Sequence, residues 1–282
     1  QLHGSAVDVV STLVPSFSPT REKLSGQGES LRGRRPLYLI DGVPQSNPLR
    51  DGSREGYTID PFFVDRVEVI FGSNAIQGIG ATGGVVNYAT VAPATDADRW
   101  SGRLLAQFGA DAGFRGDSGT SRLGALVGRD FGRLDVTAGI ASQTRGAFYD
   151  GDGRRIGVDG TQGEVQDSDS LSLFLKAGAE LGSSRRLELM AQQFELEGDG
   201  DYVVVLGSRA AGRPASAIRG DSPGVMPTNT ERTASLTYTD TALLGGRLTA
   251  QAFLQDFESV FGGGTFADFQ DPRIQAGGGL FD

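Results

Sequence analysis

The chain has 282 residues, a net charge of −9 and no cysteine, which excludes disulfides and thiolate metal sites and argues against a nucleic-acid binder with its basic face. A single histidine, His3, leaves no basis for a zinc centre or a Ser-His-Asp triad. Hydrophobic content of 38% beside 43 glycines points to many short strands and turns, and the longest apolar run, Tyr202–Leu206, falls far short of the roughly 20 residues of a membrane-spanning helix.

Residues 1–14 show neither the basic start nor the cleavage site of a signal peptide, so any export signal is expected upstream of Gln1. Val7–Leu13 is predicted as a helix that stops before Pro15. Leu37–Ile40 reads as a strand running into a turn at Asp41-Gly42. Asp60 as N-cap and Pro61 at the first helical position predict a helical turn over Phe62–Asp65. Arg66–Ile70 alternates as a strand, Ser73 is placed to cap another short turn, and Val85–Thr90 is a further strand. Together these make a small α+β domain over residues 1–97, with the texture changing near Val91–Asp96.

From residue 98 to 282 the pattern is one of repeated alternation. Leu104, Ala106 and Phe108 share a face, as do Leu123, Ala125 and Val127, and Leu134, Val136, Ala138 and Ile140. The period of two returns at Leu171–Ala179, Leu187–Ala191, Ala234–Tyr238 and Leu248–Leu254. Each run is about ten residues, the length of a tilted membrane-spanning strand. Tight turns at Phe131-Gly132-Arg133, Gly182-Ser183-Ser184 and Leu244-Gly245-Gly246 alternate with long polar connections at Thr144–Asp169 and Gly198–Thr230. That alternation fits an outer-membrane barrel. A soluble antiparallel sandwich would also alternate apolar and polar residues, so pattern alone leaves both open. The opposite faces carry Arg103, Gln107, Lys176, Arg186, Glu188 and Gln192, which suits a hydrated lumen.

Three ordered blocks carry a resemblance. They are Leu31-Arg32-Gly33-Arg34 with Leu37–Gln45, then Ile59-Asp60-Pro61 with Val64–Gly78, then Gly80–Tyr88. This segment resembles the plug of TonB-dependent outer-membrane receptors. Its glycines at 72, 78, 80, 83 and 84 suit tight backbone turns inside a narrow barrel. The resemblance implies a small α+β plug domain followed by antiparallel transmembrane β-barrel strands, about seven here against the roughly 22 of a plugged transporter. It also implies a TonB box expected before Gln1 and further barrel strands after residue 282.

By the same resemblance the protein is a bacterial outer-membrane receptor, not an enzyme. It would import a scarce solute, a ferric siderophore before other candidates, with TonB and its inner-membrane energising complex as partner, outer-membrane lipid around it, and neither cofactor nor resident metal. Saccharide or cobalamin uptake, or a non-transport β-rich surface protein, are the competing readings. The plug arginines are expected to seat it against barrel carboxylates: Arg32, Arg66 and Glu68 would be costly to bury unpaired. Phe71 stands where the family often has arginine, a departure that removes part of the expected ionic cluster. The apical loop between Pro44 and Ile59 supplies the candidate ligand contacts Gln45, Ser46, Asn47, Arg50, Arg54 and Tyr57, a set suited to an anionic chelate. Thr20, Arg21 and Lys23 form a second candidate apex. Asp150-Gly151-Asp152-Gly153 lacks the remaining spacing of a calcium loop and reads as an ordinary extracellular loop. Phe257, Phe261–Gly264 and Phe266–Gln270 read as an aromatic extracellular stretch or an interface girdle.

Overall fold

Ser5 starts the first element by a reciprocal capping box. Its Oγ accepts the Asp8 N–H and Asp8 Oδ2 accepts the Ser5 N–H, opening α1 (Ala6–Leu13). The computed structural model describes residues 5–262 except 25, 27, 47–53, 75, 77, 93–98, 160–161 and 223. Strand β1 (Pro36–Ile40) turns through Asp41 and Gly42 into β2 (Val43–Pro44). Both turn residues have positive φ, 46° and 82°, the twist that a two-residue hairpin requires. Asp60 Oδ1 then accepts the Phe62 N–H (2.7 Å) and caps a 3₁₀ turn, Pro61–Phe63. The expected helical turn is shorter than predicted, because Val64 already begins β3 (Val64–Phe71). The turn expected at Ser73 is capped by its neighbour, Asn74, whose Oδ1 accepts the Ile76 N–H (3.0 Å). Strand β4 (Gly84–Thr90) completes a sheet of order β2-β1-β4-β3, in which β1 and β4 run parallel.

The expected change of texture at residues 97–98 lies outside the described residues. Beyond it come β5 (Trp100–Gly109), β6 (Thr120–Asp130), β7 (Leu134–Arg145), β8 (Ser168–Glu180) and β9 (Arg185–Gly198), then a hairpin of β10 (Tyr202–Val205) and β11 (Ser216–Arg219), then β12 (Thr228–Leu243) and β13 (Gly246–Val260). Seven of these form one antiparallel wall, β13-β12-β9-β8-β7-β6-β5, and its two edges are not paired with each other among the described residues. All seven predicted strands are present. The small hairpin was visible in the sequence only as the apolar run at Tyr202, and it pairs with a segment, Ser216–Arg219, that carries no strand pattern.

Which face of the wall is buried separates barrel from sandwich. Leu104, Phe108, Leu123, Ile140, Leu173, Leu236 and Leu254 are exposed, while Arg122, Arg145, Ser172, Lys176, Gln192, Asn229, Glu231 and Thr233 are buried. A sandwich would bury the apolar stripe between its sheets. Here the N-terminal domain lies on the polar face and the apolar face points out, so the sandwich alternative falls. The polar face is occupied by protein where a hydrated lumen was expected.

Two aromatic rings fasten the layers. Phe63 stacks on Phe174 of β8 with centroids 5.1 Å apart, and Phe62 meets Phe63 edge-on at 5.4 Å. Both need bare backbone beneath them. A Cβ on Gly139 would lie 2.6 Å from the Phe63 ring, and one on Gly124 would lie 3.1 Å from Phe62. Phe62, Phe63, Ala141, Phe174 and Met190 consequently share one apolar core with Tyr38, Ile40, Val86 and Tyr88.

Candidate functional site

The seam between the N-terminal domain and the wall pairs buried charges from both sides. Asp60 does two jobs from one side chain: it caps the 3₁₀ turn and forms a buried ion pair with Arg122 of β6. Arg103 of β5 donates to the Phe62 carbonyl and lies over that ring at 4.6 Å. Lys176 of β8 meets Asp41 at 2.9 Å, and the same carboxylate accepts the Thr90 N–H (2.8 Å) and hydroxyl (2.6 Å). Gln192 Nε2 donates to the Thr58 carbonyl (3.0 Å). Each wall group sits at an inward position of its strand and each partner on the turns that face it, so pairing satisfies groups that would otherwise be buried alone.

At the end of the wall with the long connections, Arg54 is wholly buried, with φ at +70°. Its Nη1 donates to the Thr228 carbonyl (2.7 Å), Asn229 Oδ1 (2.8 Å) and the Val260 carbonyl (3.0 Å). Nη2 donates to the Gln162 carbonyl (2.8 Å), and the Phe261 ring lies 4.2 Å away. Tyr57 is buried against Leu24, Val165, Phe194 and Leu196. Gln45 is buried too, its Nε2 on the Val43 carbonyl (3.2 Å) and its Oε1 accepting from Gln255 (3.4 Å). Ser46 is half-buried, and Asn47 and Arg50 lie outside the described residues. The structure thus brings Arg54, Tyr57 and Gln45 to the wall as anchors, on either side of the apical segment 47–53.

The second predicted apex is likewise tethered. Lys23 pairs with Asp159 at 2.7 Å and approaches Glu164 at 3.9 Å, while Arg21 is exposed. Thr20 Oγ1 lies 2.9 Å from Asp8 Oδ1 and 3.3 Å from Glu22 Oε1. One hydroxyl proton cannot serve two carboxylates at once, which favours a proton on one of them. Burial, reinforced by Asp8, pushes Glu22 up to about 7. Glu29 is also raised to about 7 by burial, opposed by the Tyr38 hydroxyl at 3.3 Å and assisted by Asp8 and Glu55.

The predicted seating residues occupy the open side of the domain. Arg66 and Glu68 pair with each other at 2.7 Å, both well exposed, and Asn87 donates to Glu68 at 2.8 Å. Hydrogen bonds from Asn87 and Arg66 hold the Glu68 carboxyl low. Arg32 lies over the Phe71 ring at 4.4 Å, so the residue that departs from the family pattern becomes a cation–π partner.

Sequence reading missed Asp60, Arg122 and Asp41 as seam residues. Arg122 was accessible by parity, since Leu123, Ala125 and Val127 point outward. A third feature had no sequence signal: Asp117 accepts the hydroxyls of Tyr149 (2.5 Å) and Tyr202 (3.2 Å) and pairs with Arg155, tying together the three long connections 110–119, 146–167 and 199–227. The acidic run at 150 is closed by Arg154, which pairs with Asp150 (2.9 Å) and Asp152 (2.7 Å). Phe257 is on β13, whereas the stretch 266–270 lies outside the described residues.

Residues 2–85 match the TonB-dependent Receptor Plug Domain family. The chain carries a TonB-dependent receptor plug. It is 31% identical to the ferric aerobactin receptor of Klebsiella pneumoniae over 261 residues, which is 88% of this chain and 34% of that protein. With the rhizobactin receptor of Rhizobium meliloti it shares 33% over 251 residues, 86% of this chain and 33% of the relative. The chain therefore spans about one third of the length of these curated relatives. In fold it is similar to the FrpB iron transporter of Neisseria meningitidis, with a TM-score of 0.64 at 20% identity, covering 90% of this chain and 38% of that one. The ferric enterobactin receptor of Pseudomonas aeruginosa gives a TM-score of 0.60 at 18% identity over 92% of this chain and 39% of its own. Strands β1 to β3 thus lie within the residues that match the plug family, and the seven-stranded wall follows them.

Proposed function

We propose that this chain is the plug and first barrel strands of an outer-membrane receptor that imports a ferric siderophore with energy delivered through TonB. The observation that carries this reading is the likeness, at 31–33% identity over most of the chain, to proteins named for ferric aerobactin and rhizobactin. The inverted wall supports a membrane setting, because an exposed apolar band over a buried polar face is stable only where lipid replaces water outside. No covalent chemistry is needed for such a role. In this reading iron travels as the chelate, a cargo rather than a cofactor.

In this reading Ser46, Asn47 and Arg50 are the direct contacts of the apical loop. Gln45, Arg54 and Tyr57 hold that loop in place, a division supported by their burial. Arg32, Arg66 and Glu68 meet the barrel strands that follow those described.

The test places the complete gene in a Gram-negative strain lacking its own siderophore receptors and measures uptake of radiolabelled iron from a panel of ferric chelates, with and without TonB. Uptake of one chelate that vanishes without TonB is the expected result. A receptor folded in the outer membrane that takes up none of them sinks the siderophore reading and moves the solute to haem, saccharide or cobalamin, haem being favoured by 33% identity over 149 residues to a hemin receptor of Yersinia enterocolitica.

A further inference from the structure

We infer that Arg129, held between Trp100 and Phe131 on the outer surface of the wall, binds the phosphodiester headgroup of a glycerophospholipid. The inference rests on the membrane reading above and concerns a face of the barrel remote from the plug. Strand parity puts Arg129 outside: on β6 it continues the row Leu123, Ala125 and Val127, and it stands opposite Trp100 of β5 and Val136 of β7. Its guanidinium carbon lies 5.5 Å from the Trp100 centroid and 4.9 Å from that of Phe131, and the two rings meet edge-on at 6.4 Å.

What marks the position is the missing anion. The Arg129 side chain has no ion pair or hydrogen bond among the described residues, and its Nε is enclosed without a partner. Two other arginines at this end are matched by carboxylates: Arg185 by Asp240 at 3.1 Å, and Arg186 by Asp135 at 2.7 Å and Glu180 at 2.9 Å. Its recorded partners are the two ring faces, and the strands beside it expose the apolar side chains of Val127 and Leu134. Two aromatic faces attract a cation but accept none of its N–H bonds in plane. A guanidinium in that state is costly at the edge of a hydrocarbon layer.

The ligand class follows from geometry and place. A planar fork pairs bidentately with phosphate. Arg129 lies beside the tight turn 131–133, where the exposed apolar band ends, which is the level at which lipid phosphates meet a barrel. Trp100 and Phe131, both at least half exposed, would lie along the glycerol and upper acyl region. Arg133 and Arg247, exposed at the same end, lie over no aromatic ring among the described residues.

The complete receptor, purified from outer membranes and stripped of lipid in mild detergent, is titrated with phosphatidylglycerol or with diacylglycerol of the same chains, and retained lipid is counted by native mass spectrometry. Wild type is expected to retain phosphatidylglycerol over diacylglycerol, and Arg129→Gln to weaken that retention about fivefold or more. Arg247→Gln leaves it unchanged. If Arg129→Gln fails to fold, Arg129→Lys carries the test, with an expected loss of about twofold from the missing fork. Membrane fractionation and heat-shifted electrophoretic mobility report separately on the membrane reading. A folded outer-membrane receptor whose Arg129 variants retain phosphatidylglycerol like wild type overturns the headgroup site alone, and so does equal retention of diacylglycerol. A chain absent from the outer membrane overturns both.

Discussion

The plug and the barrel wall are built by opposite rules. The plug buries β1 and β4 as continuous apolar strands, Pro36–Ile40 and Gly84–Thr90, and leaves charge at its edge on β3. The wall exposes its leucines and buries arginine, lysine and glutamate. Neither region is complete by itself: the polar face of the wall needs partners, and the turns of the plug supply them. The difference teaches that stability at the seam comes from matched polar groups around a small aromatic anchor, whereas inside the plug it comes from apolar burial.

The strongest way to break that contrast is to remove one half of a buried pair. Asp60→Asn keeps the cap on the 3₁₀ turn and loses the anion that faces Arg122. Taking the carboxylate away from this buried guanidinium is expected to cost about 3–5 kcal/mol, read as a lower urea midpoint for plug unfolding in the complete receptor. An equal midpoint would mean that water reaches the seam. Next in size is the landing pad under Phe63. In Gly139→Ala the new methyl meets the ring at 2.6 Å and the Ala125 carbonyl at 2.9 Å, and overpacking of this kind costs about 1–3 kcal/mol. Phe63→Leu in the same background should recover part of that loss, because the smaller side chain yields the space.

The plug also responds to pH. Glu22 and Glu29 are raised to about 7 from an ordinary value of 4.5, so the folded plug binds protons that the unfolded chain has released. Their contribution is fully present below about pH 4.5 and is lost as pH rises through about 7. Plug unfolding in urea is therefore expected at a lower midpoint at pH 8 than at pH 5.5. Glu22→Gln with Glu29→Gln should flatten that slope and raise the midpoint at pH 8. A slope that survives both substitutions would overturn the assignment to these two carboxyls.

Much of this was legible in the sequence because it is periodic or local. Seven strands followed from a period of two, and α1, the hairpin at Asp41-Gly42 and the cap at Asp60 from residue type and position. The seam was partly legible: Lys176 and Gln192 stood out by parity as inward polar groups, but no local pattern announces that Asp41 faces Lys176 across 135 residues of chain, Thr58 faces Gln192 across 134, or Asp60 faces Arg122 across 62. Arg54 shows the limit well. An arginine in a polar loop reads as a ligand contact, and only the fold shows its donors taken by Thr228, Asn229, Val260 and Gln162.

The smallest expected effect sharpens the comparison at the plug's open edge. Arg66 and Glu68 form a short pair, yet both are exposed in the structure, and solvent screening leaves an exposed pair little net effect on stability. A double-mutant cycle of Arg66→Ala and Glu68→Ala in the complete receptor isolates their coupling from the other bonds each makes, including that of Asn87 to Glu68. The same cycle on Asp60 and Arg122 supplies the reference for a buried pair. Coupling near zero at the edge would keep β3 as solvated surface and confine buried charge to the seam described here. Coupling as large as that of Asp60 with Arg122 would mean that further strands close over β3, and that the plug is seated by polar pairs on both sides.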